Sequence, residues 1–301
     1  MKIVCMAFAM LSWLPIACFA APASNAGDLD LRVMSFNIRN GNANDGENHW
    51  NLRKEFVYDV IRDYAPDVLG LQEAVRLQLD AFNRAFPEYG EIGIVSDATR
   101  HTGQYSAILY LKKRFEAHES GIFWLSDTPA IPSKSWGNHH LRICTWVRLV
   151  DKETAQSFYV YNTHMDDGSQ PSREKGARLI MKHIHGQPLP APFILLGDFN
   201  AAEDNPAIAY VKGAGNPTDP PPVRAVDTFR VLHPEEKTAG TFNGFKGRAN
   251  GSKIDYIFVS PDMHTLEAGI LRTSRDGRYP SDHFPVTAHI RHEQKARPAD
   301  E

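Results

Sequence analysis

The chain has 301 residues, 42% hydrophobic and 23% charged, which excludes a disordered, collagen-like or coiled-coil chain and is enough for a sizeable core. Its 33 basic and 36 acidic side chains give a net charge of −3; taking away residues 1–20 removes one Lys and no acid, leaving −4. A protein that tracks duplex DNA carries a basic footprint, because phosphate neutralisation dominates its affinity, and the whole-chain balance gives no such footprint.

Met1-Lys2 opens a run that stays apolar from Ile3 to Ala20 and leaves through Cys18-Phe19-Ala20 before Ala21. A positive start, an apolar middle and a small-residue exit make residues 1–20 a cleaved secretory signal, with the mature chain 21–301 as one domain outside the cytoplasm, secreted or periplasmic. The run is near the length that spans a bilayer, but Pro15 and the exit pattern favour cleavage, and the mature chain is expected to carry no membrane span. Cys5 and Cys18 lie in the signal. Cys144 is then alone, so no intramolecular disulfide can form, and its place in the apolar run Ile143 to Val150 makes it an inert core residue.

Strand-like and helical stretches alternate through the mature chain. Leu31 to Phe36 alternates and ends at Asn37; Leu52, Phe56, Val57, Val60, Ile61 and Tyr64 then recur at helical spacing until Pro66. Val68 to Leu71 is a short apolar run, followed by a second helical stretch from Leu77 to Phe86. Tyr105 to Leu111, Ile143 to Val150 and Phe158 to Asn162 are rich in β-branched and aromatic residues, hence strands. A helix over Ser172 to His185 precedes the strand Phe193 to Leu196, and Ile254 to Val259 and Phe284 to Ile290 close the pattern. Many strands with few helices predict an α/β chain of two packed sheets with helices outside. Gly213 to Pro222 reads as a surface loop, and the last ten residues as a charged, frayed tail.

The informative fact is where the strands stop. Asn37 ends the first, Gln72-Glu73 follows the second, Asn162-Thr163-His164 ends another, and Gly197-Asp198-Phe199-Asn200 follows the most apolar run. Asp255 opens a strand and Ser281-Asp282-His283 precedes the last. Each of these residues alone suits a turn or a helix cap. Together they are oxygen ligands for a hard divalent cation (Glu73, Asp282, Asn37, Asn200) beside groups that move protons or stabilise charge (Asp198, His164, His283).

Six ordered motifs, Ser-Phe-Asn37, Leu-Gln-Glu73, Asn-Thr-His164, Gly-Asp198-Phe-Asn200, Asp255-Tyr-Ile and Ser-Asp282-His283, resemble the endonuclease/exonuclease/phosphatase superfamily over about residues 31–290. The resemblance implies a four-layer sandwich, two mixed β-sheets packed face to face and flanked by helices. It also implies a catalytic domain that hydrolyses phosphate esters with Mg²⁺ or Mn²⁺. By the same resemblance Glu73 is the principal metal ligand, with Asn37 and Asp282 close to the ion. Asp198 orients or deprotonates the attacking water, Asn200 holds that water or a phosphoryl oxygen, His283 contacts the phosphate with Asp255 orienting it, and His164 adds a further phosphate contact.

Relatives of this kind often read Thr-His-x-Asp-His, whereas this chain has Asp167 at the last position, an extra carboxylate beside Asp166 that attracts a cation and repels an anion. Arg142, Lys246, Arg248, Lys253, Arg275 and Arg278 are candidates for a second phosphate contact, with Arg142, Lys253 and Arg278 foremost. Trp124 and Trp136 suit either core packing or stacking on a ring. The expected substrate is a nucleotide-like or small phosphorylated molecule, acted on by a monomer without an obligate protein partner. A secreted nuclease is the alternative. A sphingomyelinase-like enzyme would need an exposed apolar hairpin, for which Gly121 to Leu125 is the only short candidate, and a non-catalytic binding protein is at odds with the intact motif set.

Overall fold

The computed structural model describes residues 27–215 and 218–293. The signal segment 1–20 and residues 294–301 of the expected tail fall outside the described residues, whereas His292, also expected in that tail, lies in a strand opposite Leu29. In chain order the elements are β1 (Leu29–Asn37), α1 (Trp50–Tyr64), β2 (Val68–Ala74), α2 (Arg76–Ala85), β3 (Tyr89–Ile92), β4 (Tyr105–Leu111), β5 (Phe115–Trp124) and β6 (Ile143–Asp151). They continue with β7 (Ser157–His164), α3 (Gln170–His185), β8 (Phe193–Asp198), α4 (Pro206–Val211), β9 (Val226–Asp227), α5 (Thr228–Leu232), β10 (Asp255–Val259), β11 (His264–Ile270) and β12 (Val286–His292).

The strands form two six-stranded mixed sheets, β11-β12-β1-β2-β4-β3 and β5-β6-β7-β8-β10-β9. Each sheet has one parallel pair near its middle, β1 with β2 across α1 and β7 with β8 across α3; its other pairs are antiparallel. The period of two decides what each strand buries. In β1, Leu31 and Val33 pack between the sheets with Val160, Ile194, Leu196 and Ile257, while Met34 and Phe36 meet Val57, Ile61, Leu79 and Phe82 of α1 and α2 on the outer face. On the other side Tyr161, Leu195 and Tyr256 pack against Ala177 and Ile180 of α3 and Ile208 of α4. The four-layer sandwich is therefore present as expected.

Several expected boundaries move for local reasons. Helix α3 starts two residues earlier than its apolar spacing suggests, because Ser169 caps it by accepting from Ser172 N at 3.2 Å and Pro171 fits its first turn. The last strand begins at Val286 rather than Phe284, whose N–H donates to Thr241 O in a loop. Strands β3, β5 and β11 and the short helices α4 and α5 were not expected. The apolar hairpin sought at Gly121 to Leu125 does not exist: Gly121 to Trp124 end strand β5, paired with β6, and Phe123, Trp124 and Leu125 are buried.

Parallel pairing aligns the chemistry. Ladder register sets Asn37 beside Gln72 in the first sheet and His164, Asp198 and Asp255 in one row across β7, β8 and β10. Gly197 allows β8 to close on β7. Its φ of +147° lies outside the range L-residues favour, and a side chain there would collide with Thr163 O. Beneath the site a polar rivet ties the sheets: Gln72 Nε2 donates to Asn162 Oδ1 at 2.8 Å, and Asn162 Nδ2 donates to Leu71 O and Ala107 O at 3.0 and 2.7 Å. Buried amides hydrogen-bonded across the layers in this way fix the relative position of the two sheets.

Candidate active site

Asp198 stands at the centre. Its Oδ1 accepts from Asn200 N at 2.9 Å, and its Oδ2 accepts from Asn37 Nδ2 of the facing sheet at 3.0 Å. The same oxygen lies 3.4 Å from His164 Nε2 and 3.8 Å from His283 Nε2. Asp198 and Asp255 are directly opposite each other in the β8–β10 ladder, a position where like charges repel. His283 resolves this, with Nδ1 on Asp255 Oδ2 at 2.9 Å and Nε2 toward Asp198. Burial opposes charge on the His283 ring, but Asp255 and Asp198 outweigh it and hold its pKa up at about 10. Burial and the nearby Asp255 push Asp198 up to about 7. His164 goes the other way: burial, with the positive Arg142 and His283 nearby, drives its pKa well below the usual value. One histidine is thus a cation and the other neutral, beside a carboxylate that titrates near neutrality, a pattern that separates acid and base roles.

Glu73 comes from a bulge. The β2–β4 ladder slips between Leu71 and Ala74, and Glu73 sits at φ +60°, which turns its carboxylate off the sheet edge. Arg39 and Asn200, also in the site, share this left-handed conformation at φ +58° and +47°; such strain gathers at functional positions. Glu73 Oε1 accepts from Asn37 Nδ2 at 3.1 Å and Oε2 from Asn40 N at 3.0 Å. Asp282 faces the same cleft, 94% buried, and its carboxyl is pushed up by burial and by the like charge of Glu73. Two carboxylates that face one cleft fit a hard cation, which would offset their like charge. Asn37 as placed offers its NH₂ to Glu73 and Asp198, which orients both carboxylates, while its Oδ1 accepts from Arg39 N at 3.0 Å. Asp198, Asp255 and His283 also present ligand atoms within 4.8 Å of one another. That group is already closed by the imidazolium and its two carboxylates, so Glu73 with Asp282 is the better metal pair.

A cleft of about 360 Å³ brings together Glu73, His164, Asp198, Asn200, Asp282 and His283, with Arg39 and Arg142 in its walls. Asp255 supports His283 from behind. The structure does not bring Lys253 there. Its Nζ is fully buried, 2.8 Å from Asp227 Oδ2 and 3.5 Å from the centre of the Tyr256 ring, a correction to its expected contact with substrate. Arg278 is exposed outside the cleft, 3.6 Å from Glu47 Oε2. Arg142 does line the cleft, but it is held by Asp167 Oδ1 at 3.1 Å and lies 3.8 Å from Asp166 Oδ2. The acidic pair is not the free negative patch expected either. Asp166 is buried and accepts from the backbone N–H groups of His139, His140, Gly168 and Ser169, and Asp167 is paired.

Some residues that shape the cleft were missed. Arg39 hydrogen-bonds Asp45 at 3.0 Å through two nitrogens and lies 3.8 Å from Asp282 Oδ2. Arg53, buried, donates to Asn48 O, Ile38 O and Pro280 O, each at 2.8 Å, and so ties the loop after β1 to the one carrying Asp282. Its signal was present: Arg53 shares the apolar face of α1 with Val57, Val60 and Ile61. Thr241 Oγ1 accepts from Ile254 N and Asp255 N at 2.9 and 3.1 Å and sets where β10 begins.

Two packed mixed sheets with an acidic, histidine-bearing cleft at the ends of their parallel strands define a phosphoesterase-type scaffold. The chain belongs to the Endonuclease/Exonuclease/phosphatase family, whose model matches residues 34–283. An endonuclease/exonuclease/phosphatase family protein from Bacteroides thetaiotaomicron shares 30% identity and a TM-score of 0.81, over 92% of this chain and 100% of that one. Mannosyl-6-phosphatase Bt3783 of the same organism shares 32% identity and a TM-score of 0.76, over 86% of this chain and 99% of that one. The human Nocturnin catalytic domain with bound sulfate shares the fold at 21% identity and a TM-score of 0.68, over 87% of this chain and 95% of that one. Among curated relatives, the uncharacterized protein L388 of Acanthamoeba polyphaga mimivirus is 28% identical over 159 residues, 50% of this chain and 59% of that one. The chain spans less than two thirds of the length of the curated relatives it matches.

Proposed function

We propose that this protein is a divalent-metal-dependent phosphatase of small phosphorylated molecules, with phosphosugars as the leading class. The observation that carries the reading is geometric: Asp198 Oδ2 lies 3.4 Å from His164 Nε2 and 3.8 Å from His283 Nε2, in a cleft whose other carboxylates, Glu73 and Asp282, fit a hard cation. Phosphosugars lead because a mannosyl-6-phosphatase is 32% identical over almost its whole length.

Asp198 takes a proton from the attacking water, a task for which its raised pKa suits it. Asn200, with Nδ2 committed to Met165 O at 3.0 Å, keeps its amide oxygen for that water. His283 donates from Nε2 to a phosphoryl oxygen while Asp255 holds the proton on Nδ1. Neutral His164 accepts or donates one hydrogen bond without adding charge. Arg39 supplies positive charge at the Asp282 side of the cleft. Glu73 and Asp282 would hold Mg²⁺ or Mn²⁺, which would supply Lewis-acid stabilisation of the phosphoryl charge.

The test is phosphate release, with Mg²⁺ or Mn²⁺ present, from hexose phosphates, nucleotides, inositol phosphates, sphingomyelin and nucleic acids. Hexose phosphates should turn over fastest, and far faster than duplex DNA, with weak salt dependence. Efficient duplex cleavage that falls steeply with rising salt would instead establish a nuclease. We also propose a monomer acting outside the cytoplasm, on the pattern of residues 1–20. No helix among the described residues is long and apolar enough to cross a membrane. The mature amino terminus should fall near Ala21 or just after Ala26; an intact amino terminus on cytoplasmic protein from the native host would overturn export.

A further inference from the structure

Beyond Phe242 a second hollow of about 470 Å³ opens, and Phe242 is the wall it shares with the catalytic cleft. The six cations that stand near the motifs are sorted by their partners. Arg142 is held by Asp167, Lys253 by Asp227, Arg275 by Asp59 at 3.1 Å and Arg278 by Glu47. Lys246 and Arg248 have no carboxylate partner among the described residues, and both line the second hollow, whose walls contain no acidic residue. In a chain of net charge −3, two unpaired cations in a wall free of acids are a local exception.

Three further features show a built site. Asn243 is 1% exposed; its N–H donates to Asp282 O at 2.7 Å and its Nδ2 to Ser281 O at 3.1 Å, but its Oδ1 is buried with no partner. The two donated bonds fasten this wall of the hollow to the loop that carries Asp282. Phe242 is half exposed, packed edge-on to His283 at 5.2 Å, which leaves an aromatic surface at the junction of the two hollows. Gly247, between the two cations, adopts φ +68° against Tyr279, where any side chain would collide with the hydroxyl, so the loop is seated on the fold.

We propose that this hollow is a second subsite, which binds a second anionic group carried on the alcohol part of the phosphoester. The scissile phosphate occupies the catalytic cleft, the connecting ring lies on Phe242, and Lys246 and Arg248 hold the distal anion. The proposal deepens the phosphatase reading and rests on it. Its substrate class is a bis-anionic phosphoester such as a sugar bisphosphate.

The experiment compares kcat and KM for a hexose 6-phosphate, the corresponding hexose 1,6-bisphosphate and p-nitrophenyl phosphate across a salt series. Wild-type protein should favour the bisphosphate about five- to tenfold in kcat/KM, mainly through KM, and lose the preference as salt rises. Lys246→Ala with Arg248→Ala, both exposed positions, should abolish the preference and leave p-nitrophenyl phosphate turnover within about twofold. Equal efficiency on the two sugar phosphates, or a preference that survives the double substitution, would overturn the subsite. Calorimetric binding of the bisphosphate to both proteins separates the two readings. Wild-type binding that the double variant loses, without turnover of any phosphoester, would keep the subsite and sink the phosphatase.

Discussion

His283 carries the site's most distinctive electrostatics. Its pKa is raised from 6.5 to about 10 against the cost of burial, because Asp255 and Asp198 sit on either side of the ring. A folded-state pKa raised in this way means that the stabilisation from the charged ring is fully present below about pH 6.5 and is lost as pH rises through about 10. In metal-free protein, NMR titration should therefore show His283 protonated through neutrality and His164 neutral over the same range. Asp255→Asn should bring the His283 transition down toward its ordinary value. A His283 that titrates near 6.5 in the unsubstituted protein would remove the charged partner on which the proposed chemistry depends.

At the scale of elements, the fold was legible wherever local pattern and tertiary context agreed. The apolar runs at β1, β2, β7, β8 and β10 and the helical spacing of α1 and α3 are strong because each buries a continuous face. Polar residues at their ends located most of the cleft for the same reason: a buried strand exposes its chemistry only where it stops. What sequence pattern could not convey was pairing. Strand β5 alternates weakly and is held by its neighbour β6, and the bulge that aims Glu73 is a property of the β2–β4 ladder, not of either strand alone. Lys253 shows the limit most plainly, since a lysine in a Gly- and Asn-rich stretch reads as solvated until Asp227 is seen to lie beside it. Lys253→Ala should cost about 3–5 kcal/mol in urea denaturation, because it strands a buried carboxylate, yet leave KM for a small phosphoester unchanged. A raised KM with stability intact would restore Lys253 as a substrate contact.

At the scale of the molecule, two sheets that carry parallel pairs at their centres bring chemistry from both layers to one edge. Asn37 of the first sheet hydrogen-bonds Asp198 of the second, and Asp282 meets Glu73 in the same cleft. That convergence concentrates negative charge where an anionic substrate must enter, with Arg39 and Arg142 already paired to carboxylates. A bound divalent cation would offset the imbalance, so metal dependence is the claim on which the proposed chemistry turns. The direct measurement is phosphate release from a hexose 6-phosphate by metal-stripped protein as Mg²⁺ is titrated in, beside metal binding by calorimetry, for wild type and Glu73→Gln. No turnover is expected without metal, recovery with Mg²⁺ or Mn²⁺, and a loss of metal affinity of about a hundredfold or more in Glu73→Gln. Full turnover in excess chelator, after verified removal of metal, would contradict it.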